Sequence, residues 1–186
     1  MRAIVVRHGN TFGPGEPARR IGARTDLLLV ESGRKQARAL ARHLAGIRID
    51  RCLASPLART RETAAIIAPT LSVEIADWLR EIDHGPDEGM TEAAVVSRIG
   101  TAALTAWDNA AAPPPGWIVD APARIAAWRR FFAEEQGTIL LVTSNGAARF
   151  ALLALGLPPS RLRTGAYGDI VDGRVETWDR RPDEPI

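Results

Sequence analysis

IVVRHGNT, residues 4–11, sets an unbroken apolar run directly against a cation, an imidazole and a glycine. Ile4, Val5 and Val6 leave no polar face for water, the pattern of a strand buried on both sides of a parallel sheet. The run then turns polar at Arg7 and His8, and Gly9 allows another backbone to come close. Ligands of open α/β sheets bind at the carboxyl ends of strands, so Arg7 and His8 stand where a site is expected.

Further runs repeat the pattern: IDRCLAS (49–55), VEIA (73–76) and TILLVT (138–143). Between them lie helical periodicities. Ser32-Gly33 opens a segment with Ala37, Leu40, Ala41 and Leu44 on one face. Thr91 is placed to cap a helix bearing Val95, Val96, Ile99, Ala103, Leu104 and Trp107, and Asp120 another bearing Ile125, Trp128 and Phe132. Strands alternating with helices predict an α/β fold with a mostly parallel sheet between helical layers. Near the end, DIVDGRVETW places Asp172-Gly173 between two β-favouring runs, which predicts a tight hairpin of antiparallel edge strands. AAAPPPGW (110–117) reads as a stiff loop between helices, because three prolines in succession do not continue a helix.

The 186 residues are 46% hydrophobic and 25% charged, which fits a single domain, 1–186, with a sizeable core. No stretch approaches the roughly 20 apolar residues of a membrane helix, and the N-terminus turns charged too early for a signal peptide, so a cytoplasmic protein without membrane contact is expected. The single Cys52 sits among apolar neighbours and reads as a core residue. All but one of the 24 basic residues are arginine, Lys35 being the exception. They form no basic run and no aromatic-interleaved patch, so no nucleic-acid partner is expected. Arginine does suit phosphate and carboxylate, which makes its positions informative.

Two further segments carry candidate chemistry. In ASPLARTRETAAIIA (54–68), Ser55 is a suitable N-cap and Pro56 a suitable first helical residue, which sets Arg59 just beyond the first turn. A cation there opposes the helix dipole unless an anion lies between them. The alternative is an exposed Arg59 paired with Glu62. In LREIDHGPDEGMT (79–91), Glu81 precedes a glycine-marked loop containing His84 and is either a site acid or a surface glutamate.

These pieces together resemble the histidine phosphatase superfamily, the phosphoglycerate mutase-like proteins. RHGNT matches the family's Arg-His-Gly signature, and GARTDLLLVESGRKQARALARHL (22–44) its Thr-Asp and Gly-x-x-Gln-Ala segment. SPLARTRETAAIIA matches the Ser-Pro-Leu-x-Arg segment, and LREIDHG the segment carrying the acid. The resemblance implies a metal-independent phosphomonoester hydrolase with no cofactor and a small phosphorylated substrate. It implies His8 as a nucleophile forming phosphohistidine, Arg7 and Arg59 as phosphate clamps and Glu81 as proton donor, with Asn10 and Thr11 as neutral donors to phosphate. A cap-like variable segment, about 85–117, is expected over the site, where Trp107, Pro113–Pro115 and Trp117 either rim the pocket or pack against the domain.

The chain departs from the family pattern twice. Pro14 stands where the family often has a phosphate-contacting asparagine. In LLVTSNGAARF (140–150), counting back five from Arg149 reaches Ser144, where the family's pattern carries a second histidine. Ser144 and Asn145 are then expected to cap a helix starting near Ala147, with its backbone N–H groups and both side chains serving the phosphate. His84 is either a plain loop residue or a substitute for the missing imidazole, and His43 a surface residue. A pseudophosphatase that binds phosphate without turnover is the competing reading, with mutase activity behind it for want of a long lid. Oligomeric state is not readable.

Overall fold

In the computed structural model, which describes residues 1–182, six strands form one mixed sheet. They are β1 (Arg2–Arg7), β2 (Arg51–Ala54), β3 (Val73–Ile75), β4 (Thr138–Thr143), β5 (Tyr167–Val171) and β6 (Arg174–Arg180), in the order β3-β2-β4-β1-β5-β6. The first four run parallel; β5 lies antiparallel beside β1, and β6 antiparallel outside it. The hairpin turn is Asp172-Gly173, both with positive φ (48° and 76°), as a two-residue turn matched to strand twist requires.

Five helices cover the sheet: α1 (Glu31–Leu44), α2 (Ala58–Ile67), α3 (Glu92–Ala110), α4 (Ala121–Glu134) and α5 (Asn145–Ala154). Alternate strand residues feed opposite cores, the reason the runs are continuously apolar. Ile4, Val6, Cys52, Leu140 and Val142 pack with Leu40, Leu44, Ala64 and Ile67 of α1 and α2. Ala3, Val5, Leu53, Ile139 and Leu141 face the other core, where Trp107, Trp128, Phe131 and Phe150 of α3, α4 and α5 gather. Cys52 is wholly buried, and burial pushes its thiol pKa up to about 12, consistent with an inert core side chain.

Parallel register aligns the ends that matter. Arg7 pairs with Thr143, and Ala54 with Val142, so the residues leaving β1, β2 and β4 emerge at one edge. The His8 N–H donates to the Thr143 carbonyl (3.1 Å) and the Ser55 N–H to that of Val142 (3.1 Å), which extends the alignment one residue past each strand.

Helix starts differ from the sequence expectation in three places. α1 begins at Glu31 rather than at Ser32-Gly33. α2 begins at Ala58, with Leu57 at the N-cap position: Ser55 Oγ meets the Thr60 hydroxyl (2.7 Å) and accepts the Leu57 N–H only at 3.4 Å, while Asp26 Oδ1, from another loop, accepts the Ala58 N–H (2.6 Å). Arg59 consequently lies in the first turn, not beyond it. α5 begins at Asn145, two residues before Ala147. Thr91 and Asp120 do cap α3 and α4, accepting from the Ala94 and Ala123 N–H groups.

Candidate functional site

His8 has one ring nitrogen engaged. Its Nδ1 lies 2.8 Å from the Gly9 carbonyl, which can only accept, so in the neutral ring Nδ1 carries the proton and Nε2 the lone pair. No hydrogen bond among the described residues engages Nε2, and the ring lines a cavity of about 720 Å³. Burial, then the charges of Arg59 and Arg7, hold the imidazole pKa well below 6.5. The ring is therefore neutral at physiological pH, at a cavity whose lining carries four arginines (Arg7, Arg19, Arg20, Arg161) and four carboxylates (Glu16, Glu81, Glu92, Asp108). The loop carrying it is seated by a close glycine contact. A Cβ on Gly9 would stand 2.4 Å from the Gly33 carbonyl oxygen, so the loop lies directly on the first turn of α1.

A stability consequence has a definite sign. The folded pKa of His8 lies below its unfolded value, so the unfolded chain binds the extra proton first as the medium is acidified. The stability held by neutral His8 is complete above about pH 6.5 and is lost as pH falls from there through the depressed folded pKa. Urea midpoints measured from pH 7.5 to 5 are expected to fall more steeply for the wild type than for His8→Ala.

Arg7 directs Nη1 to the Leu162 carbonyl (2.9 Å), and its Nε is buried without a partner. Burial lowers its pKa to about 10, with Arg161 and Arg59 adding to the effect and Glu81 opposing it. Arg59 is fully buried and donates to the Thr25 (2.6 Å) and Gly22 (3.1 Å) carbonyls. The exposed Arg59–Glu62 pair is thereby ruled out; Glu62 accepts from Arg34 Nε at 2.6 Å. Neither Arg7 nor Arg59 forms an ion pair among the described residues, although buried arginines normally have one. Two such cations near each other call for an anion.

Glu81 is buried, not a surface residue. Its Oε2 accepts the Gly146 N–H (3.0 Å) and its Oε1 the Ile82 N–H (2.9 Å), so the carboxylate rests on the N-terminus of α5. A Cβ on Gly146 would meet Oε1 at 2.3 Å, and only glycine leaves that space. This corrects one expectation: a backbone donor at the start of α5 serves Glu81 rather than being left for phosphate. The carboxylate outcompetes because it stays there permanently and gains from the helix dipole.

The remaining expected residues divide. Asn10 and Thr11 line the cavity beside His8, although the Asn10 amide nitrogen is also 3.4 Å from Ser32 Oγ. Asn145 lines it too, and its Oδ1 accepts the Leu162 N–H (2.8 Å), which braces the loop that holds Arg7. Ser144 occupies the N-cap position without making a cap bond. Its Oγ is buried, has no partner among the described residues, and is not among the groups lining the cavity. His84 also lines the cavity, with its ring edge against Trp117 (4.6 Å between centroids), while His43 is exposed and meets the Tyr167 hydroxyl at 2.8 Å. Trp107 both packs and lines the cavity, whereas Trp117 is committed to packing, its Nε1 donating to Asp87 (2.7 Å).

Two contributors were not singled out from sequence, and a third, Arg149, served there only to locate Ser144. Arg161 reaches the cavity from the loop after α5. Arg124 donates to the Arg80 carbonyl (2.7 Å) and steadies the backbone that carries Glu81. Arg149 is buried, stacks on Trp107 (4.1 Å to the ring) and donates to its carbonyl (2.6 Å), tying α5 to α3. Backbone carbonyls have no residue identity, so such bonds leave no trace in a motif.

Residues 3–177 match the family described as histidine phosphatase superfamily (branch 1). The chain belongs to that family. A probable phosphoglycerate mutase of Erwinia tasmaniensis is 38% identical over 87 residues, covering 46% of this chain and 40% of that protein. The 2-carboxy-D-arabinitol-1-phosphatase of Triticum aestivum is 32% identical over 176 residues, 88% of this chain and 34% of that one. The chain thus spans less than half the length of these curated relatives. Among solved structures, a mycobacterial glucosyl-3-phosphoglycerate phosphatase superposes with a TM-score of 0.81 at 25% identity, covering 97% of this chain and 99% of its own. In this superfamily member, Arg7, His8 and Glu81 line one cavity, while Arg59 is not among its lining side chains and acts on the His8 ring through its charge from a fully buried position. No helix among the described residues is long and apolar enough to cross a membrane.

Proposed function

We propose that the protein is a metal-independent phosphomonoesterase in which His8 carries the phosphoryl group. The observation behind this reading is the tautomer: the Gly9 carbonyl holds the Nδ1 proton and leaves Nε2 with its lone pair at the cavity. A neutral nucleophile suits a dianionic ester, since it adds no charge repulsion to the attack. Nε2 attacks phosphorus as the P–O bond to the leaving alcohol breaks, and Glu81 in its acid form delivers the proton to that oxygen. The positive charge on the phosphorylated ring is relieved at Nδ1–H by Gly9. Water then attacks phosphorus with Glu81 as base, the P–N bond breaks, and phosphate leaves with His8 neutral again.

Arg7 and Arg59 stabilise the phosphoryl oxygens through both steps. Electrostatic stabilisation of that kind is worth most where water is excluded, as at the fully buried guanidinium of Arg59. The names of the relatives point to small phosphorylated carbon skeletons as the substrate class.

In this reading Ser144 stands in for the family's second histidine. Its support is placement: Ser144 follows Thr143, whose carbonyl receives the His8 N–H, and the Ser144 hydroxyl is buried without a partner. A neutral hydroxyl is roughly half as strong a donor to phosphate as a charged one. Ser144→His is therefore expected to raise kcat for an aryl phosphate in EDTA by about 10–100-fold, and Ser144→Ala to lower it by less than about tenfold. Steady-state assays of the three proteins decide. Tight phosphate binding by calorimetry, with no turnover by either the wild type or Ser144→His, would instead assign a pseudophosphatase.

A further inference from the structure

Glu88 is the most heavily hydrogen-bonded carboxylate outside the reacting set. Its side chain is 9% exposed and lies on the loop that follows Glu81. Oε1 accepts from the Gly22 N–H (2.8 Å), the Arg24 N–H (3.2 Å) and the Thr25 hydroxyl (2.8 Å), and Oε2 accepts from the His84 N–H (3.3 Å). Burial alone would raise its pKa, but the neighbouring His84, the Thr25 hydroxyl and the Gly22 N–H outweigh burial and hold it at about 2. The carboxylate is therefore charged at every physiological pH, and it gathers one turn of chain, residues 22–25, around itself.

That turn presents the carbonyls of Gly22 and Thr25 to the guanidinium of Arg59. The N–H groups of Gly22 and Arg24 point toward Glu88 while those carbonyls point toward Arg59, so the turn lies between a fixed anion and a fixed cation. We propose that Glu88 is a positioning residue for phosphoryl transfer, aligning the 22–25 turn so that its carbonyls hold Arg59 in place without neutralising it. A direct Glu–Arg pair would take as many N–H donors but would also cancel the charge that phosphate needs. Carbonyl oxygens hold the guanidinium by two N–H groups and carry no net charge. Its buried Nε–H remains unpartnered among the described residues. The charge of Glu88 still supports that of Arg59 from one peptide layer away.

This inference rests on Arg59 serving the phosphoryl group, as proposed above, and its test separates the two ideas. Glu88→Gln keeps the shape but removes the charge, and its amide NH2 leaves one side without an acceptor, either the His84 N–H or the Gly22, Arg24 and Thr25 donors. With 4-nitrophenyl phosphate, kcat/KM is expected to fall by about 10²-fold, the usual consequence of displacing a transition-state contact by roughly 1 Å. In an Arg59→Ala background the same change should cost no more than about twofold, because its effect passes through the missing guanidinium. A crystal structure of Glu88→Gln should show the guanidinium detached from at least one of the two carbonyls. Thr25→Val, which removes one donor and leaves the charge, should show smaller losses in the same cycle, and it serves if Glu88→Gln does not fold. Losses that multiply in the double variant, or an Arg59 that keeps both carbonyl bonds in Glu88→Gln, overturn the proposal. If the wild type hydrolyses nothing, the crystal structure and inorganic phosphate affinity in the same four proteins still read the positioning of Arg59.

Discussion

Replacing His8 with alanine is expected to lower turnover of an aryl phosphate by roughly 10⁴-fold or more, because no other group can take the covalent step. After a rapid quench in alkaline detergent, wild-type protein incubated with labelled substrate should carry an acid-labile, base-stable phosphoryl group, and His8→Ala none. The pH profile adds a second criterion. The His8 pKa is held well below 6.5, so protonation of the nucleophile should not limit kcat/KM until the medium is well below that pH. Appreciable turnover by His8→Ala, or a label that survives in it, would place the chemistry on another residue.

Glu81→Gln should divide substrates by leaving group. An alkyl phosphate departs as a strongly basic alkoxide and needs the proton, so its kcat is expected to fall by about 10²–10⁴-fold. 4-Nitrophenolate leaves without help, and the first turnover should stay fast. Hydrolysis of the phosphoenzyme still requires Glu81 as base, which predicts a burst of nitrophenol close to one equivalent followed by a slow steady state. The glutamine can still accept one of the two backbone N–H bonds, from Gly146 or Ile82, which keeps the loop in place. Equal losses for both substrates, with no burst, would assign Glu81 to structure rather than proton transfer.

The candidate site was unevenly legible in the chain. Arg7 and His8 could be located because they follow an apolar run with no alternation, and such a run has few fates other than a central strand. Arg59 could be identified as a candidate but not as a buried residue, since its partners are carbonyls of Gly22 and Thr25 contributed by a distant turn. Asp26 capping α2 in place of Ser55 is a similar case: a long-range acceptor won over a local one, and periodicity carries no information about such competition. Glu81 illustrates the difference most fully. Its position beside a glycine-rich loop left a surface glutamate and a site acid both open, and α5, whose N-terminus begins more than 60 residues later and receives the carboxylate, removed the surface reading.

By itself the sequence determined the strand–helix alternation, the hairpin at Asp172-Gly173 and the buried Cys52, all of which follow from neighbours within a few residues, and it put His8 at the carboxyl end of a strand. Only the tertiary structure decided which protonation form His8 takes, which charges lack partners and which donors Glu81 has already used. These depend on distances between segments far apart in the chain and on burial, which sets the worth of a charge or a hydrogen bond. Ser144 belongs to both: its place in the pattern was readable from Arg149, but that its hydroxyl is buried and unpartnered could be known only once β4 and α5 had closed around it.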